Sequence, residues 1–212
     1  MREPEIKSAS AGPVGDQVRS DLSVSYEPTS DTLSVDVVSK VDDLYRDAID
    51  SAGRRVAGAF GVTEGRLSIE DAGALEWVIV ARAECCLRRA GFDGPPVLPA
   101  PAPSADSPRR RERLRRSRLY IPGNQPKLMI SGGLYEADGI ILDLEDSVPP
   151  AEKDAARNLV RNALVGLDRG VSERMVRVNQ GTVGEEDLAA IASHNPHTVL
   201  LPKVEHPSLV GR

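Results

Sequence analysis

From residue 118 onward the chain alternates a short apolar stretch with a longer amphipathic one. RLYIPG precedes PKLMISGGLYEA, GIILDLED precedes AEKDAARNLVRNAL, MVRVNQ precedes EEDLAAIASH, and TVLLPKV comes last. This rhythm constrains the fold more than any other feature, because parallel strands must be joined by crossovers long enough to hold a helix. In GIIL the apolar residues are consecutive, as in a strand covered on both faces of a parallel sheet. Repeated strand and helix units build either a barrel or a doubly wound sheet. No G-x-G-x-x-G follows the first strand, so the dinucleotide-binding form lacks its usual signature. In both architectures the chemistry sits just beyond the carboxyl ends of the strands.

Those ends carry Pro122, Gly123 and Asn124, then Asp143, Glu145 and Asp146, then Arg177 and Asn179, and finally Lys203 and Glu205. The acidic residues of DLED, beside a basic residue on the next strand, suit either a hard cation or an anionic substrate held against Arg177. A salt-bridge network that closes the strand ends is the alternative. Arg177 is the strongest single candidate, because its planar fork matches a carboxylate bidentately. Asp143, Glu145, Asp146 and Lys203 form the candidate rim.

Ahead of this region, residues 93–108 (DGPPVLPAPAPSADSP) have the Pro, Ala and Ser content of an extended linker that packs into no core. The basic run RRRERLRRSR follows at 109–118. A solvated linker or a charged lead into a domain is its expected role, in preference to a nucleic-acid patch. Within residues 1–92, LSVSY (22–26) and LSVDVVS (33–39) alternate like half-buried strands around the turn-rich EPTSDT, which predicts a hairpin. A helix is expected from Val41 to Phe60, with Gly61 as its stop. RLSIED then reads as a strand, ALEWVIVA continues with β-branched and aromatic residues, and RAECCLRRA reads as a helix closed by Gly91. Trp77 is expected in the core. The chain therefore divides into a small α+β domain (1–92), a linker (93–117) and an α/β domain (118–212).

A net charge of -5 gives no general reason to bind nucleic acid or an anionic membrane. Cys85 and Cys86 are adjacent and supply no disulfide framework, and no apolar run reaches the ~20 residues of a membrane span. The expectation is a cytoplasmic protein whose partners are small molecules or other proteins. His194, His197 and His206 lack ligand spacing and receive no role.

The motifs YIPG, DLEDSV, EKDAAR, VRVN and LPK, in this order across residues 116–206, closely resemble the citrate lyase β subunit and the wider HpcH/HpaI aldolase superfamily. That resemblance implies a (β/α)₈ TIM-type barrel of which about four strands are present. It also implies Mg²⁺-dependent cleavage of a citryl, malyl or citramalyl thioester into an oxo acid and an acetyl thioester. The family arginine that binds substrate carboxylate falls on Arg177. The family's metal-binding Glu and Asp lie on later strands, so no metal ligand is expected within this chain. A full barrel typically needs about 250 residues, which makes this the front half of one.

EIKSASAG, the two early strands and DAGALEWVIVARAECCLRRA resemble the acyl carrier protein (γ subunit) of citrate lyase and, more loosely, the malonate decarboxylase δ subunit. Such carriers hold a phosphoribosyl-dephospho-coenzyme A arm on a serine and deliver a tethered thioester at high local concentration. Here the interval from Gly12 to Asp21 is longer than the family's. Ser20 is the hydroxyl within it, either an attachment residue or an ordinary loop serine. The combined expectation is a carrier fused to a lyase that acts on a coenzyme A or carrier thioester and associates with citrate-lyase-type subunits or with itself. The alternatives are a non-catalytic carrier or assembly module and an inactive fragment.

Overall fold

A computed structural model describes residues 5–40, 42–106, 108 and 112–206. It divides into two compact units, residues 1–101 and 102–212. Val41, which opens the expected first helix, and Arg109 to Arg111 of the basic run lie outside the described residues.

In the first unit the strands are β1 (Ala9–Ala11), β2 (Leu22–Thr32), β3 (Ser34–Ser39) and β4 (Glu64–Asp71), and the helices are α1 (Asp42–Ala59) and α2 (Glu76–Ala90). The sheet order is β1-β2-β4-β3, with β1 and β4 antiparallel to β2, and β3 parallel to β4. The expected hairpin is therefore not formed. Its two strands are separated by β4, which pairs with both of them. The cause lies in the connection: Leu33 alone joins β2 to β3, and its N–H bonds Thr63 instead of a partner across a turn. The unit β3-α1-β4 is a parallel crossover, and α1 and α2 both pack on the sheet face that carries Leu22, Val24, Val35, Val37, Leu67 and Ile69. Gly53 lets α1 lie close, since a Cβ there would stand 2.9 Å from Ile69 Cδ1.

The stretch ALEWVIVA, read from its β-branched residues as extended, is the first half of α2. Its consecutive apolar residues have a physical explanation: Trp77, Val78, Ile79 and Val80 are all buried, so this helix has no long solvent face to impose a 3.6-residue period. Trp77 is a core residue as expected. Gly91 ends the helix in the left-handed conformation (φ 104°), and its N–H reaches the Arg88 and Leu87 carbonyls.

The ARAE segment of α2 is held by buried charge. Arg82 clamps Asp21 bidentately, Nε to Oδ1 at 3.0 Å and Nη2 to Oδ2 at 2.7 Å, with side chains only 3% and 7% exposed. Glu84 accepts from Arg88 Nε at 3.1 Å and from the Val97 N–H at 2.9 Å. The proline-rich stretch is thus not simply solvated. Val97 is buried within the first unit, while Ala105 is buried within the second, where Ala102 N–H also bonds the Val165 carbonyl at 2.8 Å. Ala105 is set in a turn by its own N–H bond to the Ala102 carbonyl at 2.9 Å, so small apolar side chains of this stretch dock without joining a sheet.

Both cysteines are buried, and burial pushes the Cys86 thiol up to about 12, against weaker downward pulls from its backbone hydrogen bond and from Arg89. A thiol that is neither exposed nor ionised is a poor nucleophile. Native protein at pH 8 is expected to leave both cysteines unmodified by iodoacetamide over an hour, with two additions after denaturation in urea. Mass spectrometry reads the result, and rapid native alkylation would contradict this packing.

The second unit places β5 (Arg118–Pro122), β6 (Gly139–Asp143), β7 (Glu173–Arg177) and β8 (Thr198–Leu200) in sequential parallel order. Helices α3 (Pro126–Gly132), α4 (Lys153–Gly166) and α5 (Gly181–Ile191) occupy the crossovers. All five residues of β6 are buried, as its apolar run requires. Leu144 N–H bonds the Arg177 carbonyl at 2.9 Å and Val178 N–H that of Leu200 at 3.2 Å, extending the ladder to the strand ends. Of the basic run, Arg115 pairs with the buried Glu173 and Arg116 with Asp138. These arginines fasten the lead segment to the amino-terminal ends of the strands.

Candidate functional site

The register of the parallel sheet sets Asp143, last in β6, directly beside Arg177, last in β7. Arg177 Nε and Nη2 each donate to Asp143 oxygens at 2.7 Å, its Nη1 lies 3.0 Å from Glu145 Oε2 and 3.7 Å from Asp146 Oδ2, and its guanidinium stacks 5.1 Å over the Tyr120 ring. Lys203, beyond β8 with φ 50°, reaches Glu145 Oε1 at 2.7 Å and Asp146 Oδ1 at 3.0 Å. Arg177 and the four rim candidates are therefore brought together. Asn124 is engaged elsewhere, donating to Glu152 at 2.7 Å, and Glu205 is exposed on a separate groove beside β8.

The cluster has an inner and an outer layer. Asp143 is 1% exposed and also accepts from Glu145 N–H, Ser147 N–H and the Ser147 hydroxyl. Burial alone would raise its carboxyl, but Arg177 and these donors outweigh it and hold the group at about 2. Arg177, 22% exposed, is raised still further from its already high value, first by Asp143. Lys203 and Asp146 are each 59% exposed; Lys203 is raised by Glu145 and then Asp146, and Asp146 is lowered first by Lys203. The inner pair is thus a fixed ion pair in which Asp143 takes Arg177 Nε and Nη2 and leaves Nη1 toward Glu145, and the outer pair is solvent-exposed.

Residues that sequence reasoning passed over complete the walls. Lys153 donates to the carbonyls of Leu144, at 2.6 Å, and of Glu145. Burial lowers its ammonium pKa despite the surrounding carboxylates. Arg157 pairs with Asp187 at 2.8 Å, and Asp187 also accepts from Asn179 N–H and Nδ2. Lys153, Arg157 and Asn179 line an open groove of about 670 Å³ together with Glu145, Asp146 and Lys203, and Asp187 is buried behind them. The signal in the sequence was the EKDAAR motif, whose Lys153 and Arg157 stand four residues apart and so share a helix face.

A hard cation needs several free oxygen ligands. Here Asp143 is committed to Arg177 and Glu145 is shared by Arg177 and Lys203. Among the described residues, no group of three or more His, Cys, Asp or Glu side chains is arranged to hold a metal ion. The residues present do not by themselves fit Mg²⁺. Of the three roles open to the DLED carboxylates, the contacts present are those of the salt-bridge network, with Arg177 and Lys203 as partners. His197 packs against Arg174 at 2.7 Å, and His194 is lowered by burial.

Residues 116–211 match the family model HpcH/HpaI aldolase/citrate lyase, and residues 7–90 match that of the malonate decarboxylase delta subunit. The chain thus carries an HpcH/HpaI aldolase/citrate lyase segment behind an acyl-carrier-like one, as the motifs indicated. Citrate lyase subunit beta of Leuconostoc mesenteroides is 42% identical over 101 residues, covering 47% of this chain and 33% of that protein. Human mitochondrial citramalyl-CoA lyase is 38% identical over 97 residues, covering 44% and 28%. A crystal structure of CitE from Mycobacterium tuberculosis with magnesium, acetoacetate and coenzyme A is 37% identical, covers 46% of this chain and 36% of that one, and has a TM-score of 0.38. The chain spans about a third of the length of the curated relatives it matches. No helix among the described residues is long and apolar enough to cross a membrane.

Proposed function

We propose that the second unit contributes the carboxylate-recognising part of a carbon-carbon lyase site that cleaves a citryl, malyl or citramalyl thioester, and that the first unit is an acyl-carrier-like module. The observation that carries this reading is the Arg177 fork, held rigidly by buried Asp143 at the carboxyl end of β7 beside an open groove. A substrate carboxylate approaching Nη1 takes the place of Glu145, and the exposed Lys203 and Asp146 move aside with it. The substrate hydroxyl then gives its proton to solvent water as the carbon-carbon bond breaks, and the thioester enolate carbon takes a proton back from water, giving the oxo acid and the acetyl thioester. The Arg177 Nη1 donor, fixed in place by the Asp143 pair, orients the carboxylate while charge builds up in this step. No step is assigned to Mg²⁺, for which these residues provide no ligand set. The direct assay is release of oxo acid and acetyl thioester from citryl and malyl thioesters by the full chain; no release would sink the catalytic reading.

A second reading, a non-catalytic carrier or assembly module that joins citrate-lyase-type subunits or copies of itself, is favoured by one observation. Arg177 already faces three carboxylates, as a purely structural network would have it.

For the carrier module, Ser20 is the proposed attachment residue for a phosphoribosyl-dephospho-coenzyme A arm. It is half-buried with φ 56°, its N–H is bonded to the Ala72 carbonyl at 2.9 Å, and the next residue is the clamped Asp21. A serine so fixed presents its hydroxyl from a rigid base beside an exposed loop. Intact-mass measurement, in a host that makes the arm, is expected to show the added group on the wild type and none on Ser20→Ala. An unmodified wild type in that host would leave Ser20 an ordinary loop serine.

A further inference from the structure

At the opposite, amino-terminal ends of the second unit's strands is another pocket, about 430 Å³ in volume, whose wall includes Arg113, Arg116, Arg169, Arg174 and His197. With strands of five residues rising ~3.3 Å each, it stands ~15 Å from the Arg177 cluster. Two of its arginines are accounted for. Arg116 pairs with Asp138 at 3.1 Å, and Arg174 donates to the Ser104 carbonyl, contacts His197 and is under the influence of Asp106.

Arg169 is different. It is 3% exposed, its Nε and Nη2 are buried with no hydrogen-bond partner, and the charge acting on it is the like-signed Arg174. Burial, and then Arg174, pull it down to about 9, which still leaves it a cation at neutral pH. Arg113 Nε is likewise buried and without a partner. The carboxylates nearby do not resolve this, because Glu112 is exposed, Asp138 is taken by Arg116, and Glu173, which feels the charge of Arg113, has its oxygens bonded by Arg115 and Thr198. Leaving a buried guanidinium uncompensated is costly, so native structures almost always supply it with an anion or acceptors.

We propose that this pocket binds a phosphate-type oxyanion, with Arg169 as its principal ligand and Arg113 as a second contact. Idle donors on two separate guanidinium groups suit a tetrahedral anion with several acceptor oxygens, whereas a planar carboxylate is satisfied by one fork. The volume exceeds that of phosphate alone and leaves room for the body of a small phosphomonoester. This site is independent of the lyase reading.

Calorimetric titration of the full chain with sodium phosphate, against sodium chloride at matched ionic strength, tests the proposal. Saturable binding with a dissociation constant of about a millimolar or tighter is expected, together with a phosphate-dependent rise in melting temperature. Arg169→Met should weaken binding roughly tenfold or more, because charge-assisted bonds are lost. Without phosphate this variant should melt no lower than the wild type, since it removes an unpaired buried charge. Arg113→Gln, on a half-buried residue, should weaken binding with the fold intact and keeps the test open if Arg169→Met does not fold. Glycerol phosphate, titrated in parallel, separates esterified from free phosphate; tighter binding of either that is sensitive to these variants supports the site. Phosphate behaving like chloride, or both variants binding like the wild type, would overturn it.

Discussion

Arg177→Ala is expected to lower oxo acid release from a citryl or malyl thioester by about a hundredfold or more, the scale on which loss of a positioned charge-stabilising donor is felt. It should also destabilise the second unit by about 3–5 kcal/mol, because Asp143 would be left buried and unpaired. The pH dependence separates this from simple loss of packing. In the wild type the Asp143 carboxyl is depressed to about 2, so its contribution is fully present above the ordinary carboxylate range, near pH 4. It is lost as the pH falls through about 2. In the variant burial is opposed only by the Ser147 and Glu145 donors, so the group lies higher than in the wild type, and the penalty shrinks as the solution is acidified and the carboxyl takes up its proton. Urea unfolding at pH 7 and pH 5 reads this directly, and a penalty unchanged between them would contradict the assignment of Asp143 as a buried charge. Arg177→Lys keeps a charge without the fork, and should recover stability more than activity.

Arg82→Ala should have a comparable effect on the first unit. Asp21 is fixed by two hydrogen bonds from Arg82, at 3.0 and 2.7 Å, and by its own bond to the Leu22 N–H. Removing the guanidinium strands that carboxylate under α2, at a cost of about 3–5 kcal/mol. Because Ser20 precedes Asp21, modification of the serine should fall along with stability. Thermal unfolding checks the first effect, and intact mass in a host able to make the prosthetic arm checks the second. A variant as stable as the wild type would show that the pair is not what anchors the start of β2.

The second unit was legible in the sequence because its signal is periodic. The buried β6 and the polar residues at the strand ends lie in the order that GIILDLED and MVRVNQ indicate. The first unit was harder, for two physical reasons. Local alternation shows that residues 22–26 and 33–39 are strands but carries nothing about pairing, and β4, arriving after α1, takes the place between them. Burial on nearly every side of α2 erased the helical period in EWVIVA, so β-branched side chains gave the wrong element. At the site, Arg177 and Asp143 were visible as strand-end residues. The Lys153 contacts and the Arg157–Asp187 pair depend on how α4 and α5 face each other, which no spacing within one segment reveals.

The central claim is that the Arg177 cluster recognises a substrate carboxylate. Its most direct test is calorimetric titration of the full chain with malyl-CoA and with acetyl-CoA, which lacks the distal carboxylate. Wild type is expected to bind the malyl thioester at least about tenfold more tightly, the scale of one charge-assisted hydrogen-bonded contact, and Arg177→Ala to abolish that difference. Equal affinity for the two thioesters, or a preference that survives Arg177→Ala, would contradict the claim.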